Sequence, residues 1–222
     1  MIRVAILCGG LGTRLGPLAG NLPKPMIDVG GRPYLERVIE SFSSRGLREL
    51  VLLTGHRAEV IEQHFADGAR FGVSISYSRE SEPIGTGGAL RDARALLGPR
   101  FIVTYGDVLR YFDYDHFVAR HASHCLAVYP RIHSGNADVR AGRVVRFDKH
   151  APELPFVDAG FSLIGAPALD VLPATGPCSF EEIVFPELIR RGEMEGEIID
   201  HEFFDIGTPD ELARTRAALE EQ

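Results

Sequence analysis

The sequence predicts an α/β fold: a doubly wound, mostly parallel sheet followed by a small mixed lobe. Residues 4–7 form an apolar run that ends directly in glycines, and short continuous apolar runs bounded by turn residues read as buried strands. From there to Asp107 such runs alternate with helical periodicity over short connections, the pattern of parallel βαβ units. After Asp107 the alternation gives way to hairpin-like and isolated strand patterns. At 222 residues the chain is long enough to bury a sizeable core, and a single domain over 1–222 is expected.

Taken in order, residues 1–8 read as the first strand, and 26–29 as a short extended piece turned by Gly30-Gly31. Pro33 opens a helix to about residue 45, whose Leu35, Val38, Ile39 and Phe42 share one face. Gly46 suits its C-terminal cap. Residues 50–53 form a buried strand, 57–65 a helix with a Val60, Ile61, His64, Phe65 stripe, and 73–77 an alternating strand. A helix at 89–97 and a strand at 101–104 complete the first half.

In the second half, 114–122 reads as a helix, 126–129 as a strand and 139–147 as a hairpin turning at Ala141-Gly142. Residues 156–164 give another strand. Ser179 can N-cap a helix to about 191, with Glu181 and Glu182 in its first turn. Short extended pieces at 197–199 and 201–204 precede Thr208, which caps a last helix opened by Pro209.

Hydrophobic residues make up 45% and charged residues 25%, and the formal net charge is −7. That balance is ordinary for a globular protein and argues against nucleic-acid binding, which positive charge drives. Cys8, Cys125 and Cys178 are widely spaced, which suggests neither a disulfide framework nor a zinc site. His121 and His124, three apart, are expected to be solvated rather than ligating. No leader-like N-terminus and no apolar run of membrane-span length is seen, so a cytoplasmic protein with no membrane partner is expected.

The stretch from Leu7 to Pro25 carries the first chemistry. Gly9, Gly10 and Gly12 follow the strand, then Thr13 and Arg14, with Lys24 between Pro23 and Pro25. Glycines let the backbone approach a ligand closely, and loop N–H groups can cradle phosphate oxygens. Arg14 can fork onto phosphate and Lys24 can supply a point charge. The dinucleotide fingerprint fails at Leu15, and the Walker loop fails because no Lys follows in register. A polyphosphate-binding loop of another kind is expected, and a kinase or dehydrogenase is disfavoured.

Asp107, in Tyr105-Gly106-Asp107, ends a strand at the edge where open α/β sheets bind ligands. It serves there either as a carboxylate for Mg²⁺ facing a polyphosphate or as a turn cap. Asp205, in Phe203-Phe204-Asp205-Ile206-Gly207-Thr208-Pro209, has the same two readings. The segment 80–89, Glu-Ser-Glu-Pro-Ile-Gly-Thr-Gly-Gly-Ala, reads as a second close-approach loop or a plain helix start with Thr86 as N-cap.

Gly-Gly-Leu-Gly-Thr-Arg-Leu followed by Pro-Lys-Pro resembles the signature of the sugar-1-phosphate nucleotidylyltransferases, and the later segments are similar too. The resemblance implies a Rossmann-like nucleotidyltransferase fold, with 1–110 mainly binding nucleotide and 111–222 mainly binding sugar, and no further acyltransferase domain. It implies that Leu7, Gly9, Gly10, Gly12, Thr13, Glu80, Gly85 and Thr86 bind the nucleotide. Gly87, Asp148, Lys149, Asp158 and Gly160 would bind the sugar phosphate, although Asp148 and Lys149 also read as a surface ion pair. Arg14, Lys24 and Asp107 would be catalytic, with Mg²⁺ on Asp107 and Asp205. The substrates would be an NTP and a sugar 1-phosphate, and a homo-oligomer is compatible with the sequence.

Within that family the short length and the 82–89 and 203–209 segments resemble most the manno-heptose 1-phosphate guanylyltransferases of surface-polysaccharide synthesis. Tyr105 departs from the usual motif and resembles some cytidylyltransferases. Mannose-1-phosphate guanylyltransferases and cytidylyl-, thymidylyl- or uridylyltransferases are the near alternatives. A silent NDP-sugar-binding relative would be expected to have lost Arg14, Lys24 or a metal carboxylate, and all are present.

Overall fold

A computed structural model of the chain describes residues 2–10, 12, 14–15, 20, 22–150, 153–200 and 203–220. The apolar runs become the strands β1 (Arg3–Leu7), β2 (Glu49–Thr54), β3 (Ser74–Arg79) and β4 (Arg100–Tyr105). They lie parallel in the order β3-β2-β1-β4. Helix α1 (Tyr34–Ser43) and helix α2 (Ala58–Phe65) join the first three strands.

Both faces of this parallel half are covered. Val4, Ile6, Leu50 and Leu52 pack with Leu35, Val38, Ile39, Phe42, Ile61 and Phe65 in one core. Ala5, Val51, Leu53 and Val103 point the other way, into a second core with helix α3 (Gly85–Asp92) and the short α4 (Arg94–Leu97). Sheets buried on both sides need continuous apolar strands, which is why β1, β2 and β4 lack alternation, whereas β3 at the sheet edge alternates.

The second half contributes β5 (Val108–Arg110), α5 (Tyr114–Arg120), β6 (Cys125–Gly135), β7 (Ala137–Arg140), β8 (Arg143–Phe147) and β9 (Leu154–Gly165). Helix α6 (Phe180–Arg190), β10 (Glu195–Ile198), β11 (Phe203–Asp205) and α7 (Pro209–Glu220) follow. Among the described residues the sheet continues past β4 as β9-β6-β10-β8-β7. Strand β9 is antiparallel to both β4 and β6, and β10 is parallel to β6. The mixed lobe therefore extends the parallel sheet. A separate two-stranded ribbon pairs β5 with β11.

Several local expectations change. Residues 85–88 are the first turn of α3 rather than a loop, and Ile84, not Thr86, stands at its N-cap. Residues 24–26 form a 3-10 turn, leaving only Asp28 in extended pairing, with Pro33. Strand β5 was not expected, being too short to show a period. The turn at Ala141-Gly142 forms as expected, both residues taking positive φ of 48° and 73°. His121 and His124 are buried, not solvated. His121 lies between Glu195 and Glu197 (2.5 Å to the latter), and His124 Nδ1 accepts the Gly165 N–H at 3.2 Å. No helix of the described residues is long and apolar enough to cross a membrane.

Candidate active site

Strand β1 delivers Cys8, Gly9 and Gly10 to the carboxyl edge of the sheet, where Cys8 N–H reaches the Leu53 carbonyl at 2.8 Å. A cavity of about 370 Å³ opens there, lined among others by Leu7, Gly9, Gly10, Lys24, Glu80, Gly85, Thr86, Tyr105 and Asp107. Open α/β sheets bind ligands at this edge. Gly12 takes φ +62°, and a Cβ on it would lie 3.1 Å from Lys24 Cβ, so the loop must pass close over Lys24. Arg14 is exposed and acts electrostatically on Glu211. Thr13 lies outside the described residues.

Lys24 is buried and its ammonium donates to the Asp107 carboxylate. Across the ribbon Asp205 pairs with Val108, and Ile206 N–H reaches the Asp107 carbonyl at 3.2 Å. The two carboxylates are thus neighbours, although Asp107 and Asp205 stand 98 positions apart in sequence. Burial and the adjacent Glu211 push Asp205 up to about 6. Burial pushes Glu211 up as well, but hydrogen bonds with Asp205 and Thr208 and the Arg14 charge outweigh it. Among the described residues no group of three or more His, Cys, Asp and Glu is arranged to hold a metal alone. Two carboxylates suit Mg²⁺, which takes one or two of them and completes its shell with phosphate and water.

At the other end of the cavity the Glu80 carboxylate packs against the glycine backbone. A Cβ on Gly9 would lie 2.7 Å from Glu80 Oε1, and one on Gly55 would collide with the same side chain. Ile84 N–H lies 3.4 Å from Oε2. Burial raises the Glu80 carboxyl. Gly85, at φ +72°, must be glycine because a Cβ would strike the Cys178 carbonyl.

Glu181 joins the two halves. Its buried carboxylate accepts from Thr86 Oγ1 at 2.8 Å, Ser179 Oγ at 2.9 Å, Lys149 Nζ at 3.0 Å and the Tyr105 hydroxyl. Burial pushes Glu181 up, but Lys149 and the hydroxyl donors bring it below the ordinary range. The Thr86 hydroxyl also accepts Phe180 N–H at 2.9 Å, so it is committed to the frame. Asp158 accepts Gly160 N–H at 2.6 Å, and burial pushes it up to about 6 against that bond.

Two predicted residues stand apart. Gly87 is buried against Cys178, with its N–H on the Cys178 carbonyl at 2.9 Å. Asp148 binds His150 N–H at 2.9 Å and lies 3.4 Å from Arg146, away from the cavity. Sequence reasoning missed Glu181 and Glu211 as site residues. A Glu in a first helical turn reads only as a dipole partner. Glu211 was visible as the last residue of a Thr-x-x-Glu capping box, with Thr208 Oγ1 2.9 Å from its Oε2.

The nucleotidyl transferase family profile matches residues 3–134. The chain is 31% identical to the D-glycero-alpha-D-manno-heptose 1-phosphate guanylyltransferase of Aneurinibacillus thermoaerophilus over 99% of each chain. It is 30% identical to the mannose-1-phosphate guanylyltransferase of Mycobacterium tuberculosis over 98% of this chain but 64% of that one. The crystal structure of HddC from Yersinia pseudotuberculosis, solved also as a complex with GMP-PN, superposes with a TM-score of 0.85 at 26% identity over 99% of this chain. A family match over more than half of the sequence, a full-length relative and a shared fold agree: the chain belongs to the nucleotidyl transferase family.

Proposed function

We propose that the protein transfers the guanylyl group of GTP to D-glycero-α-D-manno-heptose 1-phosphate, giving the GDP-sugar and pyrophosphate. The observation that carries this reading is the length-matched similarity to relatives of that activity, 29% and 31% identical over 96% and 99% of their chains. Mannose 1-phosphate is the second reading, favoured by the mycobacterial relative. Both readings share GTP.

In the reaction a phosphate oxygen of the sugar 1-phosphate attacks the α-phosphorus, and the bond to the β-phosphate oxygen breaks in line. That nucleophile is already ionised near neutral pH, so no general base is required. Catalysis rests on positioning and on charge. The Gly9, Gly10 and Gly12 amides and Arg14 would hold the departing phosphates, with Thr13 in the same loop. Lys24, which donates to Asp107, would face the α-phosphate, and Lys149 would meet the sugar phosphate. Glu80 and Gly85 would read the base, while Leu7 and Thr86 shape the cavity. Asp158 and the Gly160 bend would face the sugar. Asp107 and Asp205 would hold Mg²⁺, which supplies charge neutralisation between the phosphates.

The purified protein, given each of four NTPs with heptose, mannose and glucose 1-phosphates, should release pyrophosphate fastest from GTP with the heptose substrate. Release with no pair would remove the transferase reading. A CDP-sugar as main product would remove the guanylyl assignment alone.

A further inference from the structure

Arg110 is the largest fully buried side chain described, 1% exposed. A buried guanidinium is normally paired with an acid; the Asp158 and Asp107 charges act on Arg110, but among the described residues its hydrogen bonds go elsewhere. Nη1 donates to Thr104 Oγ1 at 2.8 Å and the Val108 carbonyl at 3.1 Å, Nη2 to the Gly160 carbonyl at 2.7 Å, and Nε to the Ala159 carbonyl.

The reason lies in β9. Between the pairs Leu126↔Ser162 and Val128↔Asp158, the register advances two residues on β6 and four on β9. The ladder between β4 and β9 also stops at Thr104↔Phe161. Such a bulge leaves carbonyls without strand partners and re-aims the side chains beside it. Arg110 takes the Ala159 and Gly160 carbonyls in one fork. Gly160 permits this: it holds φ +66°, and a Cβ there would lie 2.5 Å from Nη2. The same arginine belongs to β5, three residues after Asp107, and grips the Val108 carbonyl of the turn.

We infer that Arg110 is a positioning residue that fixes the Asp158–Gly160 bend and the Asp107 turn in one frame, setting the sugar-phosphate and metal geometry together. This rests on the transferase reading above. A planar fork spanning two successive carbonyls is a task lysine cannot reproduce, and the base end of the cavity at Glu80 and Gly85 receives no bond from Arg110.

The test compares wild type, Arg110→Met, Arg110→Lys and the milder Thr104→Val, which removes one acceptor and keeps the fold. Pyrophosphate release should show the KM for the sugar 1-phosphate and the Mg²⁺ requirement rising about tenfold in both Arg110 variants and less in Thr104→Val, with the KM for GTP moving less than about threefold. Independently of activity, hydrogen exchange in the nucleotide-free protein should quicken at 104–109 and 157–162 together in Thr104→Val and Arg110→Lys. Equal loss for both substrates, or rescue by lysine, would overturn the inference. So would unchanged exchange, whatever the activity. A wild type that releases no pyrophosphate from any pair would instead strike the transferase reading, and the exchange arm would still judge Arg110.

Discussion

Ile206 donates its backbone N–H to the carbonyl oxygen of Asp107 at 3.2 Å, tying the residue after Asp205 to the other carboxylate's main chain. The Tyr34 hydroxyl holds the same ribbon from below, donating to the Phe204 carbonyl at 2.6 Å. Backbone pairing, rather than side-chain contact, therefore sets the spacing of the two acids. Asp107→Ala and Asp205→Ala should each lower kcat by about 100-fold or more, the scale of losing one electrostatic stabiliser of a transition state, with unchanged circular dichroism. Near-normal pyrophosphate release by Asp107→Ala in excess Mg²⁺ would refute the metal assignment.

Arg14 is exposed and its charge acts on Glu211, the neighbour of Asp205, on the side where the leaving phosphates are proposed to lie. Arg14→Lys keeps the charge and loses the fork, and should stay impaired. The fall in kcat should exceed any rise in KM. A pure KM effect would reassign Arg14 to ground-state binding.

Asp158 gives a pH signature. Its native value is raised to about 6 by burial, above the ordinary carboxylate value in the unfolded chain. The native state then binds more protons than the unfolded state between about pH 4 and 6, so this group's contribution to stability falls as pH rises through that window. Asp158→Asn removes the titration and keeps an acceptor for Gly160 N–H. The melting temperature of the variant minus that of wild type should grow more positive from pH 4.5 to 7. A pH-independent difference would count against the buried, raised carboxyl.

Phe161 shows how the site leans on the core. It follows Gly160 and packs on Phe112, Tyr114 and Phe117 at centroid distances of 5.0, 5.1 and 5.3 Å. Phe161→Ala should cost about 3–5 kcal/mol of unfolding free energy, as deletion of a buried ring does. Urea unfolding measures it, and a loss below 1 kcal/mol would mean that the aromatic cluster closes over the gap.

The parallel half was legible because burial on both faces writes itself as unbroken apolar runs, as in 50–53. The glycine loop and Lys24 stood out because glycines clustered after a strand and a lysine between two prolines are local patterns; that Gly12 packs against Lys24 is seen only in the fold. What stayed hidden depends on long-range pairing. No local pattern announces that β5, three residues long, meets β11, or that Glu181 gathers Thr86 from α3, Tyr105 from β4 and Lys149 from the turn after β8. Asp148 and Lys149 are adjacent in sequence, yet Asp148 meets Arg146 and Lys149 meets Glu181, a divergence that no local pattern announces.

We propose that the base is decided at the Glu80 end of the cavity. Guanine presents an N1–H and an exocyclic amine, both donors, so its reader must accept; cytosine presents one amine donor and two acceptors. Glu80 supplies two acceptor oxygens on the wall formed with Gly9 and Gly85, and the glycines at 9 and 55 leave it room. A site built around buried hydrogen bonds rejects the wrong partner because groups on both sides go unpaired. GTP should therefore be preferred over CTP, and Glu80→Ala should lower kcat/KM for GTP by about 100-fold while changing that for CTP little. Gly55→Ala, which crowds the carboxylate without removing it, should shift selectivity in the same direction. Equimolar GTP and CTP offered together, with the product bases identified by mass, give the ratio directly. If Glu80→Ala lowers the use of both nucleotides equally, Glu80 supports the loop and the base is read elsewhere.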